Sequence, residues 1–147
     1  MLEIVPLGGL GEFGMNMLAL SWGETTIVVD AGVMFPDPDM LGVDRIIPDL
    51  TYLHQKGRAA ALVLTHGHED HIGAVPHVVP LVEGPIYATP LTLALVEPKL
   101  REHGLLDQVS LVAVRPRDRV SIGPFTVEFI RFGFRPIPDE ERKSRLQ

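Results

Sequence analysis

The stretch Ala61-Leu-Val-Leu-Thr-His-Gly-His-Glu-Asp-His-Ile-Gly-Ala74 joins an apolar run to four side chains of the types that bind metal ions. These four side chains are His66, His68, Asp70 and His71. Side chains two positions apart in extended backbone point the same way, so His66 and His68 can reach one cation. Asp70 and His71 are adjacent and are expected to face different directions, which suits a second cation in a two-metal hydrolytic site. Because imidazole and carboxylate occur here without thiolate, the pattern favours zinc, with manganese possible; the alternative is a solvated polar loop.

Length and composition limit the classes of protein to which this chain can belong. A chain of 147 residues with 46% hydrophobic and 22% charged residues is typical of one globular domain. The absence of cysteine excludes disulfides and thiolate metal sites. A net charge of −6 argues against a surface that coats nucleic acid, although a local groove remains possible. No basic leader and no long apolar run is present, which predicts a cytoplasmic protein without a membrane segment.

A glycine run near the N-terminus allows two interpretations. Gly9, Gly11 and Gly14 follow an apolar opening in the spacing of a dinucleotide-binding fingerprint, and Asp30 lies near the distance expected for its acidic residue. That motif requires a helix after the glycines, but only eight residues separate Gly14 from Gly23. Eight residues are too few for a crossover helix, so we predict a glycine-rich turn between two strands. A non-catalytic dinucleotide-binding or interaction module stays as the alternative.

Alternating and β-branched runs predict strands, and longer amphipathic stretches predict helices. The predicted strands are Leu2–Leu7, Met17–Ser21, Thr26–Asp30, Ala60–Thr65, Pro85–Ala88, Ser110–Val114, Arg119–Ile122 and Phe125–Arg131. The predicted helical segments are Asp49–Lys56, with Asp49 as its N-cap, Pro76–Val82 and Leu91–His103. Pro98 is expected to kink or divide the last of these helices.

The metal-ligand motif after a strand resembles the signature of the metallo-β-lactamase superfamily. The resemblance implies an α/β (α+β) fold, a four-layer αββα sandwich, in which His66, His68, Asp70 and His71 hold the metal ions. Asp30 matches the first aspartate motif of that superfamily. The resemblance implies that Asp30 orients the histidine loop through hydrogen bonds, whereas the residues alone would favour a turn-forming acid after a strand.

Two further blocks, Gly8–Asn16 and Met34–Asp49, resemble the opening of ribonuclease J. This resemblance runs from about Leu2 to Arg131 and implies an RNA-processing hydrolase with 5′-to-3′ exonuclease and endonuclease activity. It implies RNA as the partner, a homo-oligomer, and phosphodiester hydrolysis by a hydroxide bound between two zinc ions, with Asp70 also orienting the nucleophile. Another hydrolase of the same fold, acting on esters, thioesters or lactams, remains the alternative.

The C-terminal end departs from this family pattern. Residues 1–131 correspond to a partial metallo-β-lactamase domain, and residues 132–147 form a divergent charged tail that we expect to be frayed. Where the family typically has His-Ser-Ile-Pro-Asp, this sequence has Arg135-Pro-Ile-Pro-Asp139, and arginine cannot ligate zinc at neutral pH. No histidine follows His103. We therefore expect a truncated chain with an incomplete site, doubtful zinc occupancy, little activity alone and a tendency to self-associate.

Overall fold

The computed structural model describes residues 1–131. The predictions for the charged tail, including the divergence at Arg135–Asp139, lie outside the described residues. Within residues 1–131, none of the helices has the length and hydropathy needed to cross a membrane.

A six-stranded sheet forms the centre of the fold. Its strands, in chain order, are β1 (Leu2–Gly8), β2 (Met17–Trp22), β3 (Thr25–Val29), β4 (Ala61–Val63), β5 (Ile86–Ala88) and β6 (Leu111–Ala113). They lie side by side in that same order. The first three form an antiparallel meander, and β4, β5 and β6 continue the sheet in parallel from β3. A separate antiparallel hairpin consists of β7 (Arg119–Ile122) and β8 (Phe125–Glu128).

Helical segments connect the parallel strands, because two parallel strands cannot be joined by a tight turn and need a longer crossover. They are α1 (Thr51–Lys56), α2 (Glu69–Ile72), α3 (Val75–Val78) and α4 (Pro90–Glu102), with 3-10 turns at Val79–Leu81 and Leu106–Gln108. The α4 helix begins at Pro90, and Thr89 is its N-cap, with a hydroxyl that accepts a hydrogen bond from the Thr92 backbone N–H.

The two faces of the sheet are covered by different elements. Val28 on one face belongs to a core cluster that includes Leu53 of α1 and Val96 of α4. Its neighbour Ile27 points to the opposite face and packs in a cluster with Ile122 of the β7–β8 hairpin. This alternation along β3 follows from the two-residue period of a strand, and it buries both faces of the sheet. The predicted α/β architecture is confirmed, with helices on one face and a second, smaller sheet on the other.

The chain direction at the glycine run decides between its two interpretations. β1 and β2 pair antiparallel on either side of it, from Leu2 opposite Trp22 to Gly8 opposite Met17. Gly9, Gly11 and Gly14 have φ values of +84°, +75° and +109°, which only glycine adopts readily. The predicted turn between strands is confirmed, and the helix that a dinucleotide fingerprint needs does not follow it.

Several predicted boundaries differ from the structure. The helix predicted from Asp49 begins at Thr51 with Leu50 as its N-cap, although the Asp49 carboxylate does accept a 2.8 Å hydrogen bond from the Thr51 N–H. Pro98 does not divide α4, which continues to Glu102. Pro98 has no N–H to donate to the Ala94 carbonyl four positions earlier. Both residues are exposed, so water can donate to that carbonyl instead.

Candidate metal centre

The metal-ligand motif lies where the chain leaves β4 and turns into α2. His68 has extended backbone, with φ −76° and ψ 149°, and its carbonyl accepts hydrogen bonds from the N–H groups of His71 and Ile72. Asp70 and His71 therefore lie in a helical turn, which the sequence did not predict. The expectation that these two side chains face different directions is wrong, because His71 Nε2 lies 3.6 Å from Asp70 Oδ2.

The three histidine rings of the motif form one group. The ring centroid of His66 lies 4.7 Å from that of His68 and 4.1 Å from that of His71. The helical turn explains this proximity, since it brings His71 back toward the strand end that carries His66. The remaining described histidines, His54, His77 and His103, lie outside this group, and His77 instead has its ring 6.1 Å from that of His103.

Asp30 is the buried anchor of the motif. It follows β3, is 6% exposed and has a φ of +62°, a conformation that aspartate tolerates better than most residues. Its carboxylate accepts a 2.8 Å hydrogen bond from the Thr65 N–H, and further bonds of 2.8 Å each from the Thr65 hydroxyl and from His71 Nδ1. The Asp30 carboxylate thus connects Thr65, which follows β4, to His71 in α2.

This hydrogen bonding also determines where two imidazoles carry their protons. His71 Nδ1 donates to the Asp30 carboxylate, so Nε2 carries the lone pair, which the Asn16 side-chain amide approaches at 3.3 Å. The Thr65 hydroxyl donates its only hydrogen to Asp30, so it accepts the 3.0 Å bond from His66 Nδ1. Both His66 and His71 therefore present Nε2 as the ring nitrogen available to a cation, an arrangement found around many protein-bound metals.

Asn16 is a contributor to this region that sequence reasoning did not single out. Its Nδ2 donates to the Asp70 carbonyl at 3.1 Å and lies 3.3 Å from both Asp70 Oδ2 and His71 Nε2. The Asn16 backbone N–H also donates to the Asp70 carbonyl, at 3.0 Å. The signal that could have revealed it is weak: an amide directly after the glycine turn, 54 residues from its partner in sequence.

Replacing Asn16 by alanine should lower the free energy of unfolding by about 1–2 kcal/mol, because the part-buried acceptors of the Asp70 carbonyl and carboxylate lose a donor. Denaturant titration of the metal-free chain measures the loss. Gln55→Ala, at an exposed position of α1, is the control and should change the free energy of unfolding by less than about 0.5 kcal/mol. Equal effects of the two substitutions would show that the Asn16 hydrogen bonds contribute nothing.

The surroundings of the first histidine of the motif favour its neutral form. Burial, followed by the neighbouring His71 and His68, lowers the pKa of the His66 imidazole. Neutral imidazole is the form that binds a cation. Next to the ligand side chains, Glu69 is held by a 2.6 Å ion pair with Lys99 of α4, so its carboxylate is engaged away from the group.

The side-chain types fit a borderline-soft divalent cation such as zinc, because three imidazoles and one carboxylate lie close together. In two of the imidazoles, those of His66 and His71, Nδ1 is hydrogen-bonded within the protein and Nε2 is the nitrogen left for a cation. Among residues 1–131, no three ligand-type side chains already stand in a closed coordination geometry. The structure thus places side chains of the types that bind zinc next to one another without arranging three of them around one point within the described residues.

Residues 8–144 match the family model of the beta-lactamase superfamily domain. The chain belongs to this superfamily. Among solved structures, this chain superposes on the metallo-beta-lactamase fold protein YhfI of Bacillus subtilis with a TM-score of 0.62 and 20% identity. The superposition covers 93% of this chain and 55% of YhfI. Zinc-bound PqqB of Methylobacterium extorquens gives a TM-score of 0.57 at 19% identity, over 80% of this chain and 42% of PqqB.

Closer in sequence are ribonucleases J. That of Helicobacter pylori strain 26695 is 46% identical over 130 residues, covering 87% of this chain and 19% of the relative. The Thermus thermophilus enzyme is 42% identical over 145 residues, covering 93% of this chain and 25% of the relative. The resemblance to ribonuclease J within the superfamily is confirmed. This chain spans about a fifth to a quarter of the length of these curated relatives.

Proposed function

We propose that this chain contributes the metal-binding part of a ribonuclease of the ribonuclease J type, which hydrolyses RNA phosphodiesters in the cytoplasm. The observation that carries the proposal is the group formed by His66, His68, Asp70 and His71, anchored by Asp30, in a sequence 46% identical to a ribonuclease J. Relatives with that name support RNA as the substrate. Exonuclease and endonuclease modes, two zinc ions and self-association belong to the same proposal.

The residues divide into ligands and supports. His66 and His68 would hold one ion, and Asp70 with His71 the other; Asp70 would also orient the attacking water. When bound, two zinc ions would supply Lewis acidity at the phosphodiester and a lowered pKa for water. Asp30 would keep His71 Nε2 free for ligation directly, and would do the same for His66 through Thr65.

The proposal is tested by replacing a ligand and measuring metal binding and cleavage together. Zinc titration by calorimetry should detect binding to the unchanged chain, and His68→Ala should weaken it by at least tenfold because a donor is removed. Cleavage of a 5′-monophosphorylated single-stranded RNA with added zinc should be slow, sensitive to chelator and lost in His68→Ala. Slow turnover is expected because residues 1–131 offer only two candidate ligands for each ion.

His77→Ala is the matched control, since this exposed histidine lies outside the ring group and should leave both readouts unchanged. Zinc binding that survives His68→Ala would remove the basis of the proposal. Hydrolysis of ester, thioester or lactam substrates without any cleavage of RNA would instead assign the chain to another hydrolase activity of this fold.

A further inference from the structure

A groove of about 540 Å³ runs beside the candidate metal centre. One wall carries His68, Glu69 and Asp70 from the metal-ligand segment, and the other is apolar and includes Phe13 and Phe35. Its volume is in the range of small-ligand sites. The groove therefore pairs an apolar, aromatic surface with the side chains proposed to hold metal ions.

Both phenylalanines are open to solvent although they lie in segments that are tied together. Phe13 is 93% exposed and Phe35 is 66% exposed. Phe13 lies two positions before Met15, and Phe35 lies two positions after Val33. The Met15 N–H donates a 3.0 Å hydrogen bond to the Val33 carbonyl, which holds the two segments together. Gly14, with φ +109°, allows this approach, because a Cβ there would lie 3.1 Å from the Val33 carbonyl oxygen. The fold thus holds two exposed aromatic rings at the edge of one groove.

Among residues 1–131, the charges beside the groove offer little attraction for a phosphate backbone, so contact would depend on the base. Phosphate contacts by proteins come mainly from lysine and arginine; within residues 1–131, Lys99 approaches the groove through Glu69 of its wall and is engaged in an ion pair with it. The chain as a whole has a net charge of −6. Aromatic rings, in contrast, stack on unpaired bases whatever their sequence. A nucleotide would place its flat base on the aromatic wall, and its phosphodiester would face the metal-ligand wall once metal ions are bound there.

We propose that Phe13 and Phe35 form a stacking subsite for unpaired bases of RNA next to the phosphodiester at the metal centre. This inference rests on the proposed function. It makes the two phenylalanines positioning residues for single-stranded RNA, with little preference for sequence. Duplex RNA would be excluded because its bases are already stacked on each other.

The test measures base stacking separately from cleavage. A short single-stranded RNA containing 2-aminopurine is titrated with the whole chain in EDTA, so that binding is measured without metal and without turnover. Stacking on the chain should quench the 2-aminopurine fluorescence. Replacing both rings, as Phe13→Leu with Phe35→Leu, keeps apolar side chains but removes the π faces; we expect about tenfold weaker binding and loss of most quenching.

Trp22→Leu is the matched control. Trp22 is an aromatic residue that is 51% exposed. It lies at the C-terminal end of β2, whereas Asn16 precedes the N-terminal end of that strand. It should leave quenching and affinity unchanged. Circular dichroism of each variant checks that the fold is retained.

Four results would overturn the inference. Three of them are no quenching by the unchanged chain, unchanged quenching in the double variant, and an equal loss in Trp22→Leu. If sedimentation shows that the double variant dissociates an oligomer while RNA binding stays the same, the groove is a surface between copies of the chain and the inference is wrong. Failure of zinc-dependent cleavage with intact quenching would contradict the proposed function but leave the stacking subsite standing.

Discussion

Gly32→Ala should destabilise the chain by about 3 kcal/mol or more and disrupt the metal-ligand segment. A Cβ at Gly32 would overlap the carbonyl oxygen of Asp70 and lie 2.9 Å from the Asn16 backbone nitrogen. Neither neighbour can move alone, because the Asn16 N–H donates to that same carbonyl and the Gly32 N–H donates to the Asn16 carbonyl. The three segments meet with no room for a methyl group, so the loop after β4 must shift.

Denaturant unfolding of the metal-free chain measures this loss, and calorimetric zinc titration measures its effect on the proposed site. Gly11→Ala is the control, because a methyl group added at Gly11 would meet no heavy atom within 4 Å and its only cost is the φ of +75°. That conformational cost is about 1–2 kcal/mol. If Gly32→Ala were no more destabilising than Gly11→Ala, the close approach of Gly32 and Asp70 would have no energetic weight.

Local sequence patterns were sufficient to predict most of the fold. The β-branched run that forms β3 and the apolar run before His66 have strand periodicity in their own residues, and both are strands. The turn between β1 and β2 follows from glycine chemistry and from the short distance to Gly23. The α2 helix was missed because it is a single turn of four residues, too short to have a period of its own. Tertiary hydrogen bonds, such as that from the Ala31 N–H to the His71 carbonyl, support it.

The candidate site was only partly predictable, because its supporting residues contact the motif through tertiary hydrogen bonds that sequence spacing does not reveal. His66, His68, Asp70 and His71 stand within six positions, so their spacing alone brought them to attention. The supports are distant in sequence: Asn16 and its partner Asp70 are 54 residues apart, and Asp30 and Thr65 are 35 apart. Thr65 in particular has no sequence signal, since a threonine at a strand end is ordinary. Its role follows from the direction of its hydroxyl hydrogen.

Asp30→Asn should lower the free energy of unfolding by about 3 kcal/mol, because three hydrogen bonds to a buried carboxylate are weakened or lost. Asparagine has nearly the same shape and tolerates the left-handed φ of +62°, so the substitution removes the charge with little backbone strain. Asp30 Oδ1 accepts from the Thr65 N–H, and Oδ2 accepts from both the Thr65 hydroxyl and His71 Nδ1, so the NH2 group of asparagine must face at least one of these donors. Without the carboxylate charge, the imidazole protons of His66 and His71 should be held on Nδ1 less strongly.

Unfolding in denaturant gives the energy, and nitrogen NMR of the imidazoles of the metal-free chain gives the tautomers, a readout that a purely structural role would not change. Thr65→Val is the informative partner, since it cuts the link to His66 and leaves the Asp30–His71 bond intact. It should cost about 1 kcal/mol and alter the His66 tautomer alone. In Asp30→Asn, zinc affinity should also fall by about 10–100-fold. Unchanged imidazole spectra in Asp30→Asn would mean that Asp30 braces the backbone without orienting either ring, and the proposed route from Asp30 through Thr65 to His66 would be wrong.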